Sequence, residues 1–349
     1  MGEAFQIGTH QIAPGKRITL DFTVPQLYTH TAVSMPVQVI NGKRSGPKLF
    51  ISAAIHGDEI NGIEIIRRLV GLRILQRLRG TLLAVPVVNV YGFVNQSRYL
   101  PDRRDLNRSF PGSKTGSLAA RLAHLFMEEI VARCTHGIDL HTAAIHRDNL
   151  PQIRTLVDNP ETKRLAHAFG SPVILNSDLR DGSLRHAVAD FGIPVLVYEA
   201  GEALRFNEFA IRAGVSGIIS VMRELGMLPP RQRKTPRAEP VVARSSNWVR
   251  APQSGILRSL TALGNHVKKG DTMAMLADPF GEKTEAVIAP FSGIVVGRTN
   301  LPLVHEGEAL YHLARFGQLK TVAEALEAFQ QKYSPDNGMA VHPEEPPII

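Results

Sequence analysis

Apolar and polar residues alternate along the chain in a way that predicts strands and helices in turn. The run Leu49–Ile55 is apolar except for Ser52 and predicts a buried strand. Residues 60–79 carry apolar side chains at helical spacing up to Gly80, and residues 81–88 form a second apolar run. Strand, helix and strand in this order predict a parallel crossover unit.

The alternation continues to about residue 225. Residues 118–133 predict a helix, and residues 137–142, 173–175 and 194–198 predict strands. Further helices are predicted after Ser183 and from about Asn207 to Leu225, whereas residues 1 to about 45 predict short strands at a sheet edge. The pattern therefore predicts an α/β/α sandwich with a mixed sheet.

A change of composition divides the chain after residue 228. The basic, proline-rich segment Pro229–Arg237 predicts an exposed linker. After it, the pattern Ala-Pro-x-Ser-Gly-Ile occurs at 251–256 and again at 289–294, which indicates a small two-fold β domain. We expect a catalytic domain at 1–228, a linker at 229–244, an all-β barrel-sandwich domain at 245–316, and a terminal helix with a flexible tail at 317–349.

Composition narrows the classes of protein. Hydrophobic residues make up 44% and charged residues 21% of the 349 positions, as in soluble globular proteins. The chain has neither a membrane-length apolar run nor a signal pattern, so a cytoplasmic protein without a membrane partner is expected. The net charge of +8 is scattered rather than clustered, which favours anionic small molecules over nucleic acid. A homo-oligomer stays possible.

Polar residues at three predicted strand ends carry the chemistry. His56 and Glu59 follow the first strand, His141 ends the strand at 137–142, and Glu199 ends the strand at 194–198. Because the carboxyl ends of parallel strands meet at one edge of a sheet, these side chains are expected to converge. Two histidines and a carboxylate form the ligand set of a catalytic zinc site, and the remaining carboxylate can act as a general base. Asp139 could orient a histidine ring.

Alternative interpretations exist for single residues. Asp58 could compete with Glu59 for a metal, and Glu199 could pair with an arginine. The polar segment 89–117 has no periodicity, and a loop of this length inside a compact domain is usually functional.

Four motifs, in this order, resemble the succinylglutamate desuccinylase/aspartoacylase family, which shares the fold of the zinc carboxypeptidases. The motifs are His56–Glu59, Asp105–Gly112, Asp139–Thr142 and Val197–Gly201. The resemblance implies one zinc ion per chain on His56, Glu59 and His141, with Glu199 as the general base. It also implies that Asn107 and Arg108 bind a substrate carboxylate and that Arg98 polarises the scissile carbonyl. Arginine suits both tasks because its planar fork pairs with carboxylates and its charge stabilises an oxyanion.

Two segments depart from known patterns. Residues 143–147 differ from the human-type aspartoacylases, and no arginine for an acyl carboxylate can be placed, so the charge of the acyl group is left open. The β domain resembles a biotinyl/lipoyl barrel, but the hairpin at Lys283 lacks the flanking methionines of a biotin carrier. A structural module that shapes the active site is therefore expected.

The sequence predicts a zinc hydrolase that cleaves the amide bond of an N-acyl amino acid or related small N-acyl amine. Two alternatives are a zinc carboxypeptidase acting on short peptides and a non-enzymatic carrier or binding protein built on the β domain.

Overall fold

The fold is described by a computed structural model that covers residues 2–230, 241–243, 245–317 and 319–333. Strands up to residue 202 are β1 (Phe5–Ile7), β2 (His10–Ile12), β3 (Arg17–Val24), β4 (Val33–Asn41), β5 (Arg44–Ala53), β6 (Arg79–Val85), β7 (His136–Ala143), β8 (Arg147–Thr155), β9 (Val173–Asn176) and β10 (Val195–Glu202). Later strands are β11 (Val241–Ala243), β12 (Ser245–Arg250), β13 (Gly255–Ser259), β14 (His266–Val267), β15 (Thr272–Ala277), β16 (Thr284–Ile288), β17 (Gly293–Thr299), β18 (Leu303–Val304) and β19 (Ala309–Arg315). The α-helices are α1 (Asn61–Gly71), α2 (Val90–Val94), α3 (Leu118–Glu129), α4 (Pro160–Phe169), α5 (Leu184–Asp190), α6 (Glu208–Glu224) and α7 (Leu319–Tyr333).

A mixed sheet forms the centre of the molecule. Its main path runs β12-β19-β17-β8-β10-β7-β5-β6-β4-β3. The strands β10, β7, β5 and β6 are parallel to one another, whereas β4 and β8 pair antiparallel with their inner neighbours. Helices α1, α4 and α6 cover one face, and α2, α3 and α5 cover the other. The predicted α/β/α sandwich with a mixed sheet is confirmed.

The apolar run of β5 is buried because helices cover both faces of the sheet. Leu49, Ile51 and Ala53 face the core that contains α1 and α6, whereas Phe50 faces the core that contains α3. This arrangement explains why the second half of the strand is apolar at every position but Ser52, instead of alternating. The strand ends at Ala53, and the polar residues of the site begin shortly after it, at His56.

Some predicted boundaries were wrong. The helix expected over 60–79 ends at Gly71 and is followed by a 3₁₀ turn at Arg73–Arg77. Gly80 lies inside β6 with φ +75°, where a Cβ would stand 1.9 Å from the Pro47 carbonyl oxygen. Gly80 thus permits a close approach of two strands and does not end a helix.

The C-terminal β region continues the main sheet. Strands β12, β19 and β17 extend it beyond β8, and β16-β15-β13-β18 form a second sheet, with an apolar core between the two. The repeated segments lead into β13 and β17, respectively. An all-β C-terminal region is therefore confirmed, whereas the division into domains stays a prediction.

Parts of the predicted linker and of the predicted terminal helix and tail lie outside the described residues, at 231–240, 244, 318 and 334–349. Within the linker, β11 pairs parallel with β9. The described helices include none with the length and apolar character needed to cross a membrane.

Candidate active site

Two adjacent parallel strands bring the predicted metal ligands together. β5 and β7 pair in register from Leu49 with His136 to Ala53 with Leu140, so the turn after β5 lies beside the end of β7. Glu59 bridges the two histidines: its Oε1 is 2.6 Å from His56 Nδ1 and its Oε2 is 2.7 Å from His141 Nδ1. All three side chains are buried, with ligand atoms within 4.8 Å of one another. This group could hold a metal ion.

The second nitrogen of each histidine faces an aspartate. His56 Nε2 is 3.2 Å from Asp105 Oδ1, and His141 Nε2 is 2.7 Å from Asp139 Oδ2. Asp139 in turn accepts a hydrogen bond from Ser52 Oγ at 2.8 Å. Such carboxylates would keep the ring proton on Nε2 when Nδ1 gives up its own proton to bind a metal. The donor set and its outer partners therefore fit a divalent metal with a preference for nitrogen and oxygen ligands.

Opposite charges compensate one another in this group. Burial alone would lower the pKa of His56 and His141, but the facing carboxylates outweigh burial and raise both values. Burial would raise the pKa of Glu59, but the two histidines lower it well below its usual range. Glu59 is thus held as a carboxylate, as a metal ligand must be.

Asp58, the alternative carboxylate, does not belong to this group. Its neighbour Gly57 packs against α2: a Cβ on Gly57 would stand 2.0 Å from the Gly92 carbonyl carbon. The contact seats the start of the segment 89–117 directly against the turn that carries His56 and Glu59. Glycine is required here because the two backbones nearly touch.

Glu199 lies one strand away, on β10. In the parallel pairing of β10 with β7, Glu199 is the partner of His141, so both side chains point to the same face of the sheet. Glu199 Oε2 accepts a hydrogen bond from Asn149 Nδ2 at 2.9 Å and lies 3.2 Å from Arg154 Nε. The suggested arginine pairing does occur, yet Glu199 still lines the same cavity as the histidines.

The segment 89–117 supplies three further predicted residues. Arg98 lies 3.3 Å from Glu59 Oε1 and 3.0 Å from Asp105 Oδ2. Asn107 sits in a 3₁₀ turn capped by Asp105, and its side-chain oxygen accepts a hydrogen bond from the Leu184 amide at 2.9 Å. Arg108 is exposed, and partial burial lowers its pKa.

One cavity of about 360 Å³ contains all seven predicted residues. Its lining is rich in arginine: the six are Arg98, Arg108, Arg147, Arg154, Arg180 and Arg185. Four carboxylates also line it, of which Glu59 and Asp139 are already engaged with the histidines. The cavity therefore favours an anionic ligand, in agreement with the expectation from the net charge.

Sequence reasoning missed several of the lining residues. Asn149 and Arg154 lie on β8, which was not predicted because its charged residues and proline break the apolar pattern. Arg180 and Arg185 follow the end of β9, and the same strand-end rule that found His56 could have found them. Trp248 comes from β12 in the C-terminal region; it is the single tryptophan of the chain, but no local pattern pointed to it.

The fold and the site define an amidohydrolase that removes an acyl group from N-acyl amino acid-like compounds, a deacylase. The model of the succinylglutamate desuccinylase/aspartoacylase catalytic domain matches residues 45–225, and the chain belongs to that family. The family predicted from the four motifs is therefore confirmed.

Individual relatives share both sequence and fold. The chain is 26% identical over 299 residues to the N-alpha-acetyl-L-2,4-diaminobutyric acid deacetylase of Halomonas elongata, covering 81% of this chain and 86% of the relative. A succinylglutamate desuccinylase/aspartoacylase structure from Rhodobacter sphaeroides has a TM-score of 0.76 at 25% identity, covering 86% and 96% of the two chains. The product-bound ectoine utilization protein EutE from Ruegeria pomeroyi has a TM-score of 0.77 at 22% identity, covering 85% and 95%.

Proposed function

We propose that the protein is a zinc-dependent deacylase that hydrolyses the amide bond of a small N-acyl amino acid. The observation that carries the proposal is the buried group of His56, Glu59 and His141 beside Glu199, in a cavity lined by arginines. Zinc is the metal proposed because two imidazoles and one carboxylate are a common ligand set of catalytic zinc. When bound, zinc supplies a nucleophile by lowering the pKa of water, and it polarises a carbonyl.

Glu199 is proposed as the general base. Its carboxylate takes a proton from the attacking water and later delivers a proton to the leaving nitrogen. The hydrogen bond from Asn149 and the ion pair with Arg154 both involve Oε2, so they fix the side chain while leaving Oε1 for this proton transfer. An isolated carboxylate here would have more rotational freedom and a less defined position.

Arg98 is proposed to stabilise the oxyanion that forms on the scissile carbonyl. The contacts with Glu59 and Asp105 hold its guanidinium beside the metal ligands. Burial alone would lower the pKa of Arg98, but the carboxylates of Glu59 and Asp105 outweigh burial and raise it. The guanidinium is therefore permanently charged. A cation fixed in place before the reaction needs no reorganisation when the oxyanion develops.

Asn107 and Arg108 are proposed to bind the carboxylate of the amino acid product. The hydrogen bond from the Leu184 amide orients the Asn107 side chain and leaves its NH₂ group as a donor. Arg108 donates a hydrogen bond to the Asn107 carbonyl oxygen and forms no ion pair among the described residues, and the charge of Arg180 acts on it. Two cations without a paired carboxylate among the described residues, next to an amide donor, form a suitable carboxylate site.

The Halomonas elongata relative acts on N-alpha-acetyl-L-2,4-diaminobutyric acid, which places an acetyl group and an amino acid carboxylate in one small molecule. A substrate of the same general form is proposed for this chain. The zinc carboxypeptidase alternative is less well supported, because Trp248 of the C-terminal β region lines the cavity where a longer peptide would have to pass.

A deacylation screen read by mass spectrometry tests this proposal. Purified protein is incubated with N-acetyl amino acids, the same compounds with the carboxylate amidated, and unblocked dipeptides. We expect release of free amino acid from the N-acetyl acids, with the amides much poorer. Hydrolysis of the dipeptides at comparable or higher rates would instead identify a carboxypeptidase.

A further inference from the structure

The cavity has two ends, which lie along strand β8. At the carboxyl end of β8, Thr155 pairs with Asn176 of β9, and the segment that follows β9 brings Arg180 and Arg185 to the cavity. The amide of Phe110 donates to the carbonyl of Gly182 at 3.0 Å, which ties the Asn107–Arg108 turn to this same end. The arginine-rich end and the proposed carboxylate site therefore coincide.

The amino end of β8 leads to a different surface. Arg147 and Asn149 pair with Thr299 and Gly297 of β17, Gly297 pairs with His312 of β19, and His312 pairs with Trp248 of β12. At about 3.3 Å per residue, the Cα atoms of Arg147 and Arg154 are roughly 23 Å apart. Glu199 contacts Asn149 and Arg154 and thus lies between the two ends.

Trp248 is held firmly where it lines the cavity. Its indole stacks on the His312 ring at 4.8 Å with an interplanar angle of 11°, and the Arg147 guanidinium lies 5.1 Å from the indole centroid. His312 Nε2 lies 2.8 Å from Ser246 Oγ, which fixes the ring beneath the indole. Burial lowers the pKa of His312 to about 3, so the stacked ring is neutral at physiological pH. A side chain packed in this way cannot swing aside at little cost.

We propose that Trp248 is the specificity-determining wall of the acyl subsite and sets the longest acyl group that the enzyme accepts. The inference rests on the proposed function: if the amino acid carboxylate binds at the Asn107–Arg108 end, the acyl group on the other side of the scissile bond extends toward Trp248. The flat indole lines that end of the cavity. Short acyl groups would fit in front of it, whereas longer ones would have to displace it from its contacts with His312 and Arg147.

The main test is a series of N-acetyl, N-butyryl and N-hexanoyl derivatives of L-2,4-diaminobutyrate and of L-aspartate, assayed with zinc-loaded full-length protein. Wild type should prefer acetyl. Trp248→Ala should raise the hexanoyl-to-acetyl ratio of kcat/KM by about tenfold or more, because a methylene accepted or rejected changes rates by about that factor. Trp248→Phe should give an intermediate ratio. Because it keeps an aromatic ring, it also tests the proposal if the alanine variant does not fold. Phe280→Ala, at an exposed hairpin tip, is the matched aromatic control and should leave the ratio unchanged.

A binding measurement decides the proposal even if none of these amides is hydrolysed. Since the chain has a single tryptophan, its fluorescence reports on Trp248 alone. Acetate should change the emission saturably, hexanoate should need at least about tenfold higher concentration, and L-aspartate alone should leave it unchanged. The proposal is overturned if aspartate changes the emission and acetate does not, or if Trp248→Ala and Trp248→Phe keep the wild-type acyl preference. Failure of the proposed function would be seen in a different result: wild-type protein would bind no zinc or would hydrolyse none of the amides.

Discussion

Glu199→Gln removes the proposed base with almost no change of shape. The glutamine oxygen can still accept the hydrogen bond from Asn149, so the side chain should keep its position. A general base contributes about 10²–10⁴-fold to turnover, which corresponds to about 3–5 kcal/mol in the activation barrier. The variant also leaves Arg154 without its carboxylate; both side chains are mostly buried, at 24% and 18% exposed, so folding stability should fall by about 1–3 kcal/mol.

The assay compares kcat, metal content and unfolding free energy for wild type, Glu199→Gln and Glu202→Gln. Glu202 is a matched control because it lies on the same strand, accepts hydrogen bonds from the His146 amide and Asn300, and does not line the cavity. We expect Glu199→Gln to keep its metal and lose at least about a hundredfold in kcat, while Glu202→Gln stays within a few-fold of wild type. Turnover near the wild-type level, or loss of metal from Glu199→Gln, would refute the role as base.

Two further predictions concern other residues. Arg108→Lys should weaken substrate binding by about 1.5–3 kcal/mol, mostly as a higher KM, because lysine cannot form two parallel hydrogen bonds to a carboxylate that is present in ground and transition states alike. Michaelis curves with free-acid and amidated substrates measure this effect. If the variant still discriminates between the two substrates as wild type does, the prediction is contradicted. Burial raises the pKa of Asp148 from 3.8 to about 6, and the charge of Arg298 partly opposes this rise. The ionised carboxylate therefore destabilises the fold, and the loss of folding stability grows as pH rises from about 4 to about 6. Asp148→Asn should therefore stabilise the protein at pH 7.5, by at most about 3 kcal/mol, and not at pH 4, as measured by chemical denaturation; an equal gain at both values would argue against the buried charge.

The proximity of the proposed metal ligands could be predicted from sequence because it follows from strand topology. His56 follows a mostly apolar run, Glu59 comes three residues later, and His141 lies near the end of the next strand; parallel neighbours deliver such residues to one edge. Glu199 was found by the same rule. These positions depend on local pattern and on one simple property of parallel sheets, both of which are readable from the chain.

The rest of the cavity depends on long-range pairing that no local pattern encodes. Strand β8 carries Arg147, Asp148 and Arg154, so its burial between β10 and β17 is not evident from hydrophobicity. Trp248 reaches the cavity only because β17 of the C-terminal region pairs with β8. The boundaries of α1 were misjudged for a related reason: apolar spacing continues through the 3₁₀ turn that follows it.

The central claim is that catalysis depends on one zinc ion held by His56, Glu59 and His141. Its most direct test is to strip the protein of metal with a chelator, add zinc back in measured steps, and record bound zinc and deacylation rate together. We expect no activity without metal, a linear rise with bound zinc, and a plateau at about one zinc per chain, with His141→Ala neither retaining zinc nor recovering activity. Full activity in a preparation that analysis shows to be free of metal would contradict it.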